Sequence, residues 1–424
     1  MTAADIDRTD SNGTLTTADG EPLKAALARA TRQARLRAFC LVAPLLVFVL
    51  VTFAVPIVQM LYLSIHNPVF SDHMPRLSAY LDAHPDDVVP GEAGFAALAL
   101  DLAAAKKNRT AGQVGTRINY ERSGSNSLFK SSARKAAKFK GPPYKEKLLK
   151  HRKDWAEPRL WNVMRRAASA HTLDFYAAAL DLTHTAKGEI TRVEPERRIY
   201  GMLFVRTFLL SGLIALLCLL LGFPVAHLLA NLPLRYSNLL MILVLLPFWT
   251  SLLVRTTSWI TLLQSQGVLN DLMVATGIVG DDGRIQLMYN QFGTIIAMTH
   301  ILLPFMILPL YSVMKTIPPS YMRAARSLGA PPVTAFIRIY FPQTVPGIGA
   351  GCLLVFILAI GYYITPALVG GSTGELISNQ IAFHMQSSLN WSLAAALGAI
   401  LLFGVLILYW LYDRLIGIDN MKFG

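Results

Sequence analysis

Six stretches of this chain, at about 39–65, 207–230, 238–262, 292–314, 347–370 and 392–412, are long apolar runs without a single Asp or Glu. At a rise of 1.5 Å per residue, about 20 such residues cross the hydrocarbon core of a bilayer. Lipid offers no partner to backbone N–H and C=O groups, so each run must pair its own as a helix. The expected fold is an all-α membrane protein with six transmembrane helices. Pro56, Pro224, Pro247, Pro304, Pro309 and Pro366 lie inside the runs. Membrane helices tolerate such prolines where neighbours satisfy the freed carbonyls. Kinked helices around a pathway and plain packing irregularity fit them equally well.

The short loops set an expected orientation. Lys24, Arg29, Arg32, Arg35 and Arg37 precede the first run, and Arg235 follows the second. Lys315, Arg323, Arg326 and Arg338 follow the fourth, whereas the opposite loops hold Asp271, Asp281, Asp282 and Glu375 against Arg284. The positive-inside rule then puts both termini in the cytoplasm. The chain divides into a cytoplasmic tail at 1–37, a first membrane helix at 38–65, an extracytoplasmic insert at 66–206, and a five-helix core at 207–424 with a cytoplasmic loop at 315–346. A polar stretch of nearly 40 residues before the first run argues against a cleaved signal peptide.

The insert holds 24 Lys and Arg against 15 Asp and Glu, most of the chain's net charge of +13. Because that surplus is bracketed by membrane runs, nucleic-acid binding is disfavoured. Segments such as "AGFAALALDLAAAKK" and "TLDFYAAALDL" have helical composition, and Trp155, Trp161, Phe175 and Tyr176 are expected to seed one small core. From Lys130 to Lys153 there are ten basic residues and one acid. That stretch is expected to be a flexible, solvated tether, ahead of a site for anionic lipid or an acidic partner.

Several chemistries have no support. There is no G-x-x-x-x-G-K-[ST] phosphate loop, so the chain is not expected to hydrolyse ATP. No H-E-x-x-H or C-x-x-C points to a metal. Cys40, Cys218 and Cys352 read as small buried hydrophobes. His227 and His300 read as helix-packing residues, and the Gly347-x-x-x-Gly351 spacing suits close helix approach. Arg255 is about 17 residues, roughly 25 Å, along a continuous third helix. At that depth it is expected to snorkel to the outer interface, ahead of a role in the pathway.

The stretch Tyr321 to Gly347, "YMRAARSLGAPPVTAFIRIYFPQTVPG", breaks this pattern. It is cationic and interrupted by proline and glycine between two apolar runs. Its local reading is a helix capped by Ser320, a stop at a left-handed Gly329, and a second helix from Pro331 and Pro332 that ends at Pro342. "AARSLGA" followed by "FIRIYFPQTVPG" resembles the cytoplasmic EAA loop of binding-protein-dependent ABC importer permeases. Together with "GCLLVFILAIGYYITPALVGG" and "LPFWTSLLVRT" it is similar to the spermidine/putrescine-type group, over runs two to six.

The resemblance implies a permease subunit of the bacterial inner membrane that forms half of a path for a small solute, with a polyamine favoured. It implies two ATP-binding cassette subunits carrying ATP and Mg, a second permease subunit, an extracytoplasmic solute-binding protein and membrane lipid as partners. The chain itself would bind no cofactor. Arg323, Ala324, Ala325, Gly329 and Ala330 would couple to the ATPase, with Arg323 where the family carries an acid. Trp249, Arg255, Tyr362 and Tyr363 are candidates along the path, where the aromatics would offer cation–π faces to ammonium groups. Interface-belt or packing roles fit those aromatics equally well. Another small organic or inorganic solute remains open, given the acid-free runs and Arg255. A secondary transporter would more often carry intramembrane acids or repeats. A membrane-anchored enzyme would need catalytic spacing around His171 or His184 that is absent.

Overall fold

The computed structural model describes residues 8–9, 15–16, 23–185 and 188–416. About half of the expected tail, 18 of its 37 residues, and the last eight residues of the core segment lie outside them. The chain forms two compact units, residues 1–62 and 63–424.

In the first unit the apolar helix α1 (Leu27–Leu63) begins well before residue 38, because Leu27 to Arg37 continue its turns. A π turn at Leu50–Ala54 widens it just ahead of Pro56. Such a turn re-pairs backbone groups around a residue that has no N–H.

The second unit opens with the insert. Helices α2 (Pro75–Ala83), α3 (Glu92–Lys107), α4 (Ala111–Asn119), α5 (Ser125–Ala136), α6 (Tyr144–His151) and α7 (Pro158–Ala168) enclose a core of their own. Phe70, Phe95, Phe129, Trp155 and Trp161 are fully buried in it. The stretch Lys130 to Lys153 is no tether, since α5 and α6 occupy most of it. Leu128, Phe129, Ala133, Ala136 and Leu148 anchor those helices to the core, leaving the basic side chains on the outer faces.

The chain then returns to its entry point. Asn67 N–H donates to the Ala170 carbonyl at 2.8 Å, and Thr172 N–H to the Ile65 carbonyl at 2.9 Å. Beyond this closure α8 (Asp174–Ala179) joins a different core. Phe175 packs with Leu203, Ile377, Leu393 and Leu397, with Tyr176 at its edge. The four expected core seeds therefore divide into two pairs.

A strand pair, Leu182–His184 with Ile190–Arg192, leads to α9 (Tyr200–Asn231). The first N–H groups of a helix have no intrahelical acceptor. Here Asp181 supplies one, its carboxylate accepting from Ile199 at 3.1 Å, Tyr200 at 3.2 Å and Gly201 at 2.7 Å.

The core follows as α10 (Leu234–Leu245), α11 (Leu252–Leu263), α12 (Gln291–Thr316), α13 (Pro319–Ser327), α14 (Pro332–Gly361), α15 (Ile364–Val369), α16 (Ile377–Gln386) and α17 (Trp391–Ile416). Among the described residues five helices are long and apolar enough to cross a membrane, and a sixth crossing exists if the bent pair at 234–275 counts as one. Helix α12 lies innermost, between α9 and α14. Glycines allow that approach. A Cβ on Gly347 would meet Val313 Cβ at 3.1 Å, and one on Gly351 would meet Met306 Sδ at 2.7 Å. The Gly347-x-x-x-Gly351 spacing is thus a seam for α12.

Candidate functional site

Two places in the core depart from regular helix, and both carry residues singled out by the sequence. The first interrupts the third apolar run. Pro247 sits in a 3₁₀ turn at Leu246–Trp249, and the chain restarts at Ser251, whose Oγ accepts from Val254 N–H at 3.2 Å. The two arms bend by 97°. A straight helix carrying Arg255 about 25 Å deep is therefore overturned. Arg255 lies in the first turn of α11, beside the break.

A second break faces this one. Helix α14 stops at Gly361, Tyr362 and Tyr363 leave helical geometry, and α15 resumes at Ile364. The freed carbonyls are satisfied by α16: Ser378 Oγ donates to Tyr362 O at 2.7 Å and Asn379 Nδ2 to Tyr363 O at 2.8 Å. The two interruptions meet through Thr256 Oγ1 and Thr365 Oγ1, 3.3 Å apart and buried. Broken helices of this kind are tolerated at membrane depth where they are buried or line a cavity.

Arg255 is half-buried and its Nε–H, buried, finds no acceptor. Tyr362 stands at the facing break, and His300 hydrogen-bonds a residue one turn along α11 from Arg255. Those two residues and Arg255 are thus brought together. Tyr363 follows at the same break, 38% exposed, whereas Trp249 stands 75% exposed on the 3₁₀ turn. The sequence reading missed Trp259, whose Nε1 donates to His300 Nδ1 at 3.1 Å. Both line an apolar cleft of about 360 Å³ with Leu217, Phe292 and Leu303. Only the periodicity of two separate helices could have hinted at that pair.

The other irregular place is the cationic element. Pro318, not Ser320, caps α13, and no side chain closes its first turn. Ser320 instead sits inside the helix. At the far end Gly329 has φ +86°, Gly329 N–H donates to Arg326 O at 3.0 Å, and Ala330 N–H to Ala325 O at 3.1 Å. This paired closure is the Schellman arrangement. Pro342 does not end the next helix. A π turn at Phe336–Tyr340 precedes it, with Phe341 N–H donating to Phe336 O, so α14 runs unbroken from Pro332 through Pro342 to Gly361.

Met322 packs towards the core of α9 and α12, and Ala325 and Ala330 are half-buried. Arg323, Ala324, Ser327, Leu328 and Gly329 are exposed, Leu328 at 89%. One edge of α13 rests on the protein while the other offers small side chains, an apolar tip and a cation.

Comparison with known proteins matches the core. Residues 202–416 fit the family described as binding-protein-dependent transport system inner membrane component. The chain is 35% identical over 248 residues to the spermidine/putrescine transport system permease protein PotB of Salmonella typhimurium (strain SL1344), covering 58% of this chain and 80% of that protein. It is 36% identical over 221 residues to PotB of Escherichia coli (strain K12), covering 51% and 80%. A crystal structure of a bacterial alginate ABC transporter, in complex with an alginate pentasaccharide-bound periplasmic protein, aligns at 19% identity and a TM-score of 0.44 over 53% of this chain and 80% of that one. The chain is a multi-pass member of the family of binding-protein-dependent transport system inner membrane components.

Proposed function

We propose that this permease forms half of the path of an ATP-driven polyamine importer. The observation that carries the reading is the 35% identity over 248 residues to spermidine/putrescine permeases, beside a family match at residues 202–416 that includes both breaks and the α13 element. Because the apolar runs hold no carboxylate, ammonium groups would meet aromatic faces at Trp249, Tyr362 and Tyr363, and backbone carbonyls. Any acid opposing the solute would come from the second permease subunit or the solute-binding protein. The test is reconstitution with its ATPase, partner permease and binding protein in proteoliposomes. Spermidine-loaded binding protein should stimulate ATP hydrolysis and spermidine should accumulate inside. Stimulation by a binding protein loaded with a different solute class, and none with polyamines, would reject the substrate.

In this reading the exposed edge of α13 sits in a groove of the cytoplasmic ATPase, with Ala324 permitting close approach, half-buried Ala325 at its margin, and Arg323 meeting an acid or a neutral acceptor. Gly329 is the sharpest probe. A Cβ there meets nothing within 4 Å, so a substitution acts only through its left-handed backbone. Gly329→Val should strain the turn by about 1–2 kcal/mol, loosen ATPase copurification and lower transport, with membrane insertion intact. Wild-type solute-stimulated hydrolysis in this variant would remove the turn from coupling.

The reading also has both termini and α13 in the cytoplasm and the insert outside. Ser125 and Ser237 are buried, so cysteines report better from exposed Ser127 and Asn238. In a background lacking Cys40, Cys218 and Cys352, an impermeant maleimide should label position 127 in intact cells and position 238 only after lysis. The reverse pattern would invert the topology.

A further inference from the structure

Helix α3 is followed by Arg109 in left-handed conformation, φ +60°, and α4 begins two residues later without a side-chain cap. In that first turn Gly112 lies beneath Lys130. A Cβ on the glycine would stand 3.0 Å from Lys130 Cε. Two adjoining hollows share Arg109, Gly112 and Lys130. One, of about 620 Å³, reaches Asn67, Arg117 and Trp391, and the other, of about 380 Å³, reaches Lys106 and Arg134.

Among the described residues no carboxylate lines either hollow. Lys106, Arg109, Lys130 and Arg134 enter no ion pair there either. Arg117 is 98% buried behind them. Its Nη1 is paired with Glu121 at 2.8 Å, yet its Nε–H has no acceptor, and the buried Oδ1 of Asn67 has no donor. A concave surface with one sign of charge and low-dielectric walls concentrates counter-ions. An open helix start flanked by Lys and Arg matches phosphate oxygens in particular.

The place of the cleft narrows the source of that phosphate. Trp391, which lines it, is the first residue of the apolar helix α17, and tryptophan at such a boundary marks headgroup depth. We propose that this cleft binds the phosphate of an anionic lipid headgroup from the leaflet beside the insert. The basic face of the insert then holds lipid at the rim of the permease.

The full chain in nanodiscs tests this. Retention of phosphatidylglycerol through graded exchange into phosphatidylcholine is read by native mass spectrometry, for wild type, Arg109→Gln/Lys130→Gln and the charge-matched Lys138→Gln/Lys140→Gln. The cleft pair should lose affinity by about thirtyfold, and Arg109→Lys/Lys130→Arg should restore most of it. The control pair, exposed and outside both hollows, should change little. Equal losses in the two Gln pairs would reduce the effect to diffuse charge and overturn the site. Competition by millimolar inorganic phosphate as effective as the lipid would assign a soluble anion and overturn the lipid source.

Discussion

Trp161→Ala should release the insert while leaving the membrane helices as they are. The Trp161 ring is fully buried, stands edge-on to Phe95 at 5.2 Å, and donates Nε1–H to Trp155 O at 2.8 Å. Removing it leaves a large cavity and takes that donor from a buried carbonyl. Buried Trp to Ala changes cost about 3–5 kcal/mol. That is comparable to the whole stability of a small domain. The penalty stays local, because this core runs only from Phe70 to Ala168 and holds no residue of α9 to α17. Hydrogen exchange on the full chain in nanodiscs should show α3 to α7 losing protection and α12 and α14 keeping it. Equal loss of protection in α12 and α14 would mean that the insert core is not a separate cooperative unit.

The membrane fold was legible because lipid leaves a chain few choices. A run of apolar residues there must be helical, so α9, α12 and α17 lie close to their expected windows. The breaks were harder, since proline does not mark them by itself. Pro224, Pro304, Pro309 and Pro346 all lie inside continuous helix, while Pro247 sits in a sharp bend. The difference at 247 lies downstream, where Ser251 offers a cap for a new helix and lets the first arm stop. At Pro342 the preceding π turn does the opposite and carries the helix through. Either outcome depends on where freed carbonyls find partners, which neighbouring helices decide.

The candidate sites divide along the same line. The α13 element was readable because its Gly329 turn and alanines are local in sequence. The junction of Arg255, Tyr362 and His300 was only partly so. Arg255 is conspicuous as a charge in an apolar run, but its depth was misjudged by assuming a straight helix. The Trp259–His300 bond and the Asp181 cap on α9 join residues distant in sequence. Nothing in either local pattern announces a partner on another element.

The junction rests on one turn, and that gives the other large prediction. At Gly371 φ is +52°, and a Cβ there would stand 2.3 Å from the Tyr289 carbonyl oxygen. Gly370 and Gly374 leave similar room, each with a built Cβ 2.5 Å from Thr294 Oγ1. The backbone is tied down beside them, since Tyr289 N–H donates to Val369 O at 2.8 Å. This turn thus presses α15 onto the start of α12, and α15 carries Thr365, the contact to Thr256. Gly371→Val combines left-handed strain of about 1–2 kcal/mol with overpacking of about 1–3 kcal/mol. The turn must lift, and the break at Tyr362 and Tyr363 must move with it. The variant should lower the melting temperature of the detergent-solubilised permease and abolish uptake in proteoliposomes. Gly398→Ala, in α17 with nothing within 4 Å of its built Cβ, should melt at or above wild type because alanine favours helix by about 1 kcal/mol. If Gly371→Val melts and transports like that control, the turn does not hold the two broken helices together, and the path must be organised elsewhere.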